Sequence, residues 1–188
     1  MRLYLIRHGE SVTNLSKIWT GWRDAKLTDK GREDARRARE VISGITFDKV
    51  FSSDLSRAAD TADIALPGCA PEKLSLIREI NVGSLAGTSI SLVTDEQWSR
   101  IREVGYSDFG GESNDELKAR VSEFFGRVQA LGAENVAAFS HGGFLQASLE
   151  YIFGFRIPRG NVLCRNCTVA VFEYTNDKWF LHSWINVK

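Results

Sequence analysis

The feature that most limits what this chain can fold into is its rhythm. Short apolar runs of strand type alternate with longer stretches of helical periodicity over most of its 188 residues. Residues 2–6 (RLYLI) read as a strand, apolar and aromatic-rich. Thr28 opens TDKGREDARRAREVISG, with acids early, Ala35, Ala38, Val41 and Ile42 at helical spacing, and Gly44 past the end. Those are helix start and stop signals. Residues 49–52 (KVFS) read as a second strand. Asp54 is placed to cap a helix over LSRAADTADIAL that Pro67-Gly68 ends. Residues 74–77 read as a third strand. Thr94 with Gln97, and Ser113 with Glu116, fit capping boxes that open two more helices, the second running through Leu131. Residues 136–139 (VAAF) read as a fourth strand, followed by SHGG and a helix over FLQASLEYIFG. Strands over 162–174 and 179–185 flank a turn at Asn176-Asp177. The alternation predicts one α/β domain over residues 1–188. It would be a three-layer α/β/α sandwich around a mostly parallel, mixed sheet that ends in a C-terminal hairpin.

Composition narrows the partners. Lysine plus arginine and aspartate plus glutamate each total 24, a formal net charge of zero. A nucleic-acid protein usually shows a basic excess. A small anion needs only a few arginines focused in a cleft. No run approaches the roughly 18 apolar residues of a membrane span, and the apolar stretch at the N-terminus is too short for a signal peptide. The expected setting is the cytoplasm, with no nucleic-acid or membrane partner and with a monomer or homodimer. Cys69, Cys164 and Cys167 are an odd number and set no disulfide framework. The flanks of C-x-x-C read as strand, so positions three apart face opposite ways and the pair reads as structural. No second pair completes a zinc site.

In an open α/β sheet, ligands bind beyond the carboxyl ends of the strands. After the first strand come Arg7-His8-Gly9-Glu10; after the second, Ser52 to Arg57; after the third, Arg78-Glu79; after the fourth, Ser140-His141-Gly142-Gly143. Two histidines, three arginines and a glutamate thus converge on one sheet edge. The chemistry these residue types suit is phosphoryl transfer. Neutral imidazole is a nucleophile at physiological pH. Arginines hold phosphate oxygens bidentately and keep their charge. Glycines opening a helix free backbone N–H groups for an anion. A carboxylic acid can protonate a leaving oxygen and then activate water.

The sequence resembles the histidine phosphatase superfamily, which includes the cofactor-dependent phosphoglycerate mutases. The matching pieces are RHGES (7–11) with Asn14, TGW (20–22), LTDKG (27–31), SSDLSRAADTA (52–62), Glu79 with Gly83 and Gly87, GGES (110–113) and SHGG (140–143), in the family's order. The resemblance implies that His8 becomes a phosphohistidine and that Arg7, Arg57 and His141 complete the phosphate pocket. It implies that Glu79 is the proton donor, and that Asn14, with the backbone near Thr20 and Gly21 and at Gly142, contacts substrate or phosphate. It implies a small phosphorylated metabolite as substrate, with no metal and no organic cofactor.

The chain also departs from the mutase pattern. Mutases carry a longer segment after the acid, with a lysine and a paired Arg-Arg for the substrate carboxylate. Here residues 83–109 are short, and Arg100 and Arg102 are two apart, on different sides of a helix. Gly142-Gly143 stands where mutases have Gly-Asn, and Ile80-Asn81 follows Glu79. The expected activity is therefore phosphomonoester hydrolysis, with a mutase as the alternative. A pocket that binds phosphate without catalysis and a metallohydrolase built on His8, His141 and His182 are further alternatives. Residues 84–112 are expected to form a substrate lid in which Trp98 shapes an apolar leaving-group pocket. Glu10 is a rival acid, Ser113 reads as a helix cap and His182 as structural.

Overall fold

The computed structural model describes residues 1–158 and 160–187. In chain order the elements are β1 (Arg2–Arg7), α1 (Val12–Leu15), α2 (Asp29–Val41), β2 (Lys49–Ser52), α3 (Ser56–Ala65), β3 (Glu72–Lys73), α4 (Asp95–Val104), α5 (Asn114–Ala130), β4 (Asn135–Ser140), α6 (Gly142–Phe153), β5 (Val169–Thr175) and β6 (Lys178–Ile185). The strands form one sheet in the order β3-β2-β4-β1-β5-β6. β1, β2, β3 and β4 are mutually parallel where they pair, and β5 and β6 run antiparallel.

Side-chain alternation along the strands builds the two outer layers. Leu3, Leu5, Val136, Ala138, Ala170 and Phe172 face α5 and α6, where they meet Val121, Phe124, Phe125, Phe144 and Leu145. Tyr4, Ile6, Ala137, Phe139, Val169 and Val171 face the small residues Ala35 and Ala38 of α2 and Ala62 and Ala65 of α3. With both faces covered, β1 and β4 read as continuous apolar runs, as central parallel strands do. A third small cluster packs Val93, Ile101 and Tyr106 of residues 84–112 with Val82, against Trp19 and Trp98.

The expected caps at Thr28, Thr94 and Ser113 are formed, the last two as full capping boxes. Three expectations fail for local reasons. Asp54 does not cap α3. It binds Arg78, and the amide of Ser56 donates instead to Asp24 Oδ1 at 2.8 Å. Residues 74–77 are not a strand. β2 ends at Ser52, so parallel pairing stops at Ser52↔Lys73, and Ser75–Ile77 coils into a 3₁₀ turn that buries Ile77. Residues 162–168 are likewise outside β5, because they spend their polar groups on the first loop: the Cys167 amide and Asn166 Nδ2 both donate to His8 O. The opposite-face argument for Cys164 and Cys167 falls with that strand. Both are free thiols, and Cys167 sits in left-handed backbone at φ 57°.

Candidate active site

β1 and β4 end side by side, with Arg7 paired to Ser140. The residues just beyond, His8 and His141, therefore arrive together, their ring centroids 5.1 Å apart. Both rings are buried. His8 Nδ1 lies 2.7 Å from Gly9 O. A carbonyl only accepts, so Nδ1 carries the proton and Nε2 keeps its lone pair. Arg57 Nε points at that Nε2 from 3.3 Å. Burial, then Arg57 and Arg7, holds the His8 pKa well below the usual histidine value, and the same causes, with burial first, depress His141. The nucleophile candidate is thus neutral, oriented and flanked by cations.

Arg57, on the first turn of α3, is buried and fixed by Gly21 O and Arg23 O, each at 2.9 Å. Gly21 is at φ 52°, which turns its carbonyl toward the guanidinium. Arg7 donates to Cys164 O while its Nε, like both ring nitrogens of His141, is buried without a protein partner. Orphaned buried donors in one place mark where an anion would be satisfied. A Cβ on Gly142 would press on the Arg7 guanidinium, so glycine lets that side chain lie against the start of α6.

Glu79 faces the same space. Its Oε1 accepts the amides of Gly143 and Ile80, both at 2.9 Å, which leaves Oε2 as the oxygen free for a proton. The TGW segment latches onto this turn. Trp22 Nε1 donates to Glu79 O at 2.7 Å, and the Arg78 guanidinium stacks over the Trp22 ring at 5.0 Å. Arg78 thus leaves the pocket that sequence order suggested for it and pairs with Asp54. Thr20 lines the cavity and meets Thr13 Oγ1 at 2.6 Å. Asn14 lines it too, held by Asn166 Nδ2 and the Ser11 amide, each at 3.2 Å.

Sequence reading missed Asn166 and Arg120. Asn166 ties His8 O to Asn14, and Arg120 of α5 binds the carbonyls of Leu76, Arg78 and Glu79. Arg120 lies in no recognisable motif, and Asn166 lies inside the C-x-x-C that reads as structural. Glu10, the rival acid, takes the Thr28 hydroxyl at 2.9 Å. Ser113 caps α5. His182 is exposed on β6, 3.7 Å from Glu173, far from any role beside His8. Trp98 does not line the cavity; it backs Trp19, which does. Among the described residues no three histidine, cysteine or acidic side chains gather as metal ligands, and no helix is long and apolar enough to cross a membrane.

The family profile "Histidine phosphatase superfamily (branch 1)" matches residues 3–187. The chain belongs to this superfamily. Among its relatives, the probable phosphoglycerate mutase GpmB of Salmonella paratyphi A is 29% identical over 194 residues, 98% of this chain and 90% of its own length. The phosphoglycerate mutase of Thermus thermophilus superposes with a TM-score of 0.78 at 27% identity over the full length of both chains. A phosphoserine phosphatase of Entamoeba histolytica, a mutant crystallised with phosphoserine, superposes at 0.86 with 22% identity, covering 97% of this chain and 95% of its own. At that identity the likeness is one of fold. This histidine phosphatase member is an enzyme of a group that holds both phosphatases and mutases.

Proposed function

We propose that this histidine phosphatase member is a phosphomonoesterase that works through a phosphohistidine on His8. The observation that carries the reading is the arrangement around one lone pair: neutral His8 Nε2, three cationic or donor side chains (Arg7, Arg57, His141) and, facing them, a carboxyl with one free oxygen (Glu79). His8 Nε2 attacks phosphorus as the ester P–O bond breaks, and the leaving oxygen takes its proton from Glu79 Oε2. The arginines and His141 carry the charge on the phosphoryl oxygens. Glu79, now a carboxylate, takes a proton from water as the water oxygen attacks phosphorus. The P–N bond breaks, and inorganic phosphate leaves. Asn14, Thr20, Gly21 and Gly142 position the phosphate and its ester. Residues 84–112 cover the leaving group through Ile90, Ile101 and Tyr106. Free thiols suit a reducing, cytoplasmic setting.

Hydrolysis is favoured over mutase action by the fate of the arginines in that covering segment. Arg100 is bound outside the cavity by Asp108 and Glu103, and Arg102 alone of the two reaches the lining. Residues 84–112 hold no arginine pair adjacent in sequence to offer a substrate carboxylate. The mutase names among its relatives support the second reading, so one assay separates them. The protein is incubated with phosphate esters including 3-phosphoglycerate, and free phosphate, isomerised product and acid-labile phosphoprotein are measured together. Phosphate release and labelling that vanish in His8→Ala support the phosphatase. Isomerised phosphoglycerate with little free phosphate establishes the mutase instead.

A further inference from the structure

We propose that the substrates are phosphate monoesters of bulky, largely apolar alcohols, ring-bearing ones above all, rather than phosphorylated polyols or hydroxy acids. The inference rests on the phosphatase reading and concerns the part of the cavity beyond the phosphate pocket. The cavity holds about 530 Å³, several times what a phosphate and a three-carbon chain fill. Its walls past Glu79 are Ile80, Val82, Trp19, Ile101, Tyr106 and Ile157. The Trp19 ring packs against Trp98 at 5.5 Å and Tyr106 at 5.6 Å, a braced aromatic surface against which a planar group can stack.

Most polar side chains of that region already have a protein partner at one atom or more. Glu112 is bound bidentately by Arg120, and Glu150 accepts the Ile157 amide at 3.1 Å. Thr20 is paired with Thr13, and Asn14 Oδ1 with Ser11 and Asn166. Gln146 donates to Ile157 O at 3.4 Å. Among the described residues the cations that reach the lining, Arg102 and Arg156, are exposed, and Arg156 is hydrogen-bonded to Asn114. A polyol or carboxylate set against the apolar wall exchanges water for hydrocarbon there and recovers only part of its hydrogen bonds. A hydrocarbon or aromatic group makes the opposite exchange.

The test compares esters whose leaving alcohols are of similar acidity, so that recognition and not leaving-group chemistry is read. 3-Phenylpropyl phosphate is set against glycerol 3-phosphate and 3-phosphoglycerate. kcat/KM is expected to favour the phenyl ester by roughly ten- to a hundredfold, the burial of one ring. Ile90→Asn, at a half-exposed wall position where folding is not at stake, is expected to cut that ratio severalfold. Equal values, or preference for either small ester, overturn the proposal while leaving the phosphatase reading intact. Binding is measured separately by calorimetry with 3-phenylpropylphosphonate and methylphosphonate, which cannot be hydrolysed. Tighter binding of the phenyl compound with a more negative heat-capacity change supports the proposal even where no ester is turned over, the outcome that would remove the phosphatase reading. Indistinguishable binding and heat-capacity changes overturn it.

Discussion

Arg120 and Glu112 form a bidentate ion pair, Nε to Oε1 and Nη2 to Oε2 at 2.8 Å each, with side chains only 12% and 9% exposed. The same guanidinium donates to Leu76 O at 2.7 Å, Arg78 O at 2.8 Å and Glu79 O at 3.3 Å, and lies 5.3 Å over the Phe144 ring. All of its N–H groups are thereby used. Glu112 in turn accepts the Asn81 amide. One pair thus fastens α5 to the turn that carries Glu79 and to the cavity wall.

Arg120 is expected to act as a positioning residue for Glu79. Arg120→Lys keeps the charge, but an ammonium cannot span the carboxylate and three carbonyls. Its kcat should fall most for alkyl phosphates, which need the proton, and least for nitrophenyl phosphate, whose leaving group does not. A merely structural role would lower both alike. Arg120→Leu strands Glu112 in a buried site and should cost about 3–5 kcal/mol of stability, read by urea unfolding.

Gly143→Ala tests the acid from the other side. A Cβ there would overlap Glu79 Oε1 and the Ile80 side chain, so the carboxyl must move. A displacement near 1 Å can cost on the order of a hundredfold in rate. The expected outcome is a large fall in kcat for alkyl esters with KM little changed, measured by steady-state kinetics at fixed pH. Gly142→Ala, which presses on the flexible Arg7 guanidinium at 3.2 Å, should be milder and appear in KM.

Much of this site was legible in the chain because strand ends in a parallel sheet are where side chains are delivered. His8 follows β1, His141 follows β4 and Arg57 opens the helix after β2, so order alone placed them together. The failures came where a side chain chose a tertiary partner over a local one. Asp54 took Arg78 in preference to a helix cap, and Asn166 took His8 O in preference to a ladder. Arg120 reads in sequence as one more charge on an amphipathic helix, and nothing local tells that its five donors face inward. Trp98 was expected to shape the leaving-group pocket, but Trp19 lines the cavity in its place, because which of them meets it depends on packing between segments about eighty residues apart.

Asn166 is a further positioning residue that these contacts single out. It donates to His8 O at 3.1 Å and Asn14 Oδ1 at 3.2 Å, and so fixes the loop on which the nucleophile sits. Asn166→Ala should cost about 1 kcal/mol of stability for the lost hydrogen bonds. It should also slow formation of the phosphoenzyme in rapid-quench experiments without altering the dependence on leaving-group acidity, which separates it from Arg120→Lys.

Two buried neutral histidines make the fold acid-sensitive in a direction that can be worked out. In the unfolded chain His8 and His141 take up protons near pH 6.5. In the folded chain, burial and the nearby Arg57 and Arg7 keep both neutral to distinctly lower pH. Below pH 6.5 the unfolded state therefore binds more protons, and acid pulls the equilibrium toward unfolding. Each histidine contributes about 1.4 kcal/mol per pH unit until its own folded-state pKa is reached, and nothing above pH 6.5. Urea midpoints at pH 7.0 and 5.0 should fall further for the native chain than for His8→Asn/His141→Asn, because the variant retains every carboxylate but lacks both buried imidazoles. An identical fall would mean that the rings take up protons in the fold as they do in the unfolded chain, and hence that burial does not keep His8 neutral below pH 6.5. Kinetics should agree: the acid limb of kcat/KM belongs to the free enzyme and is expected below pH 6.5, since the nucleophile stays neutral where an exposed histidine would not.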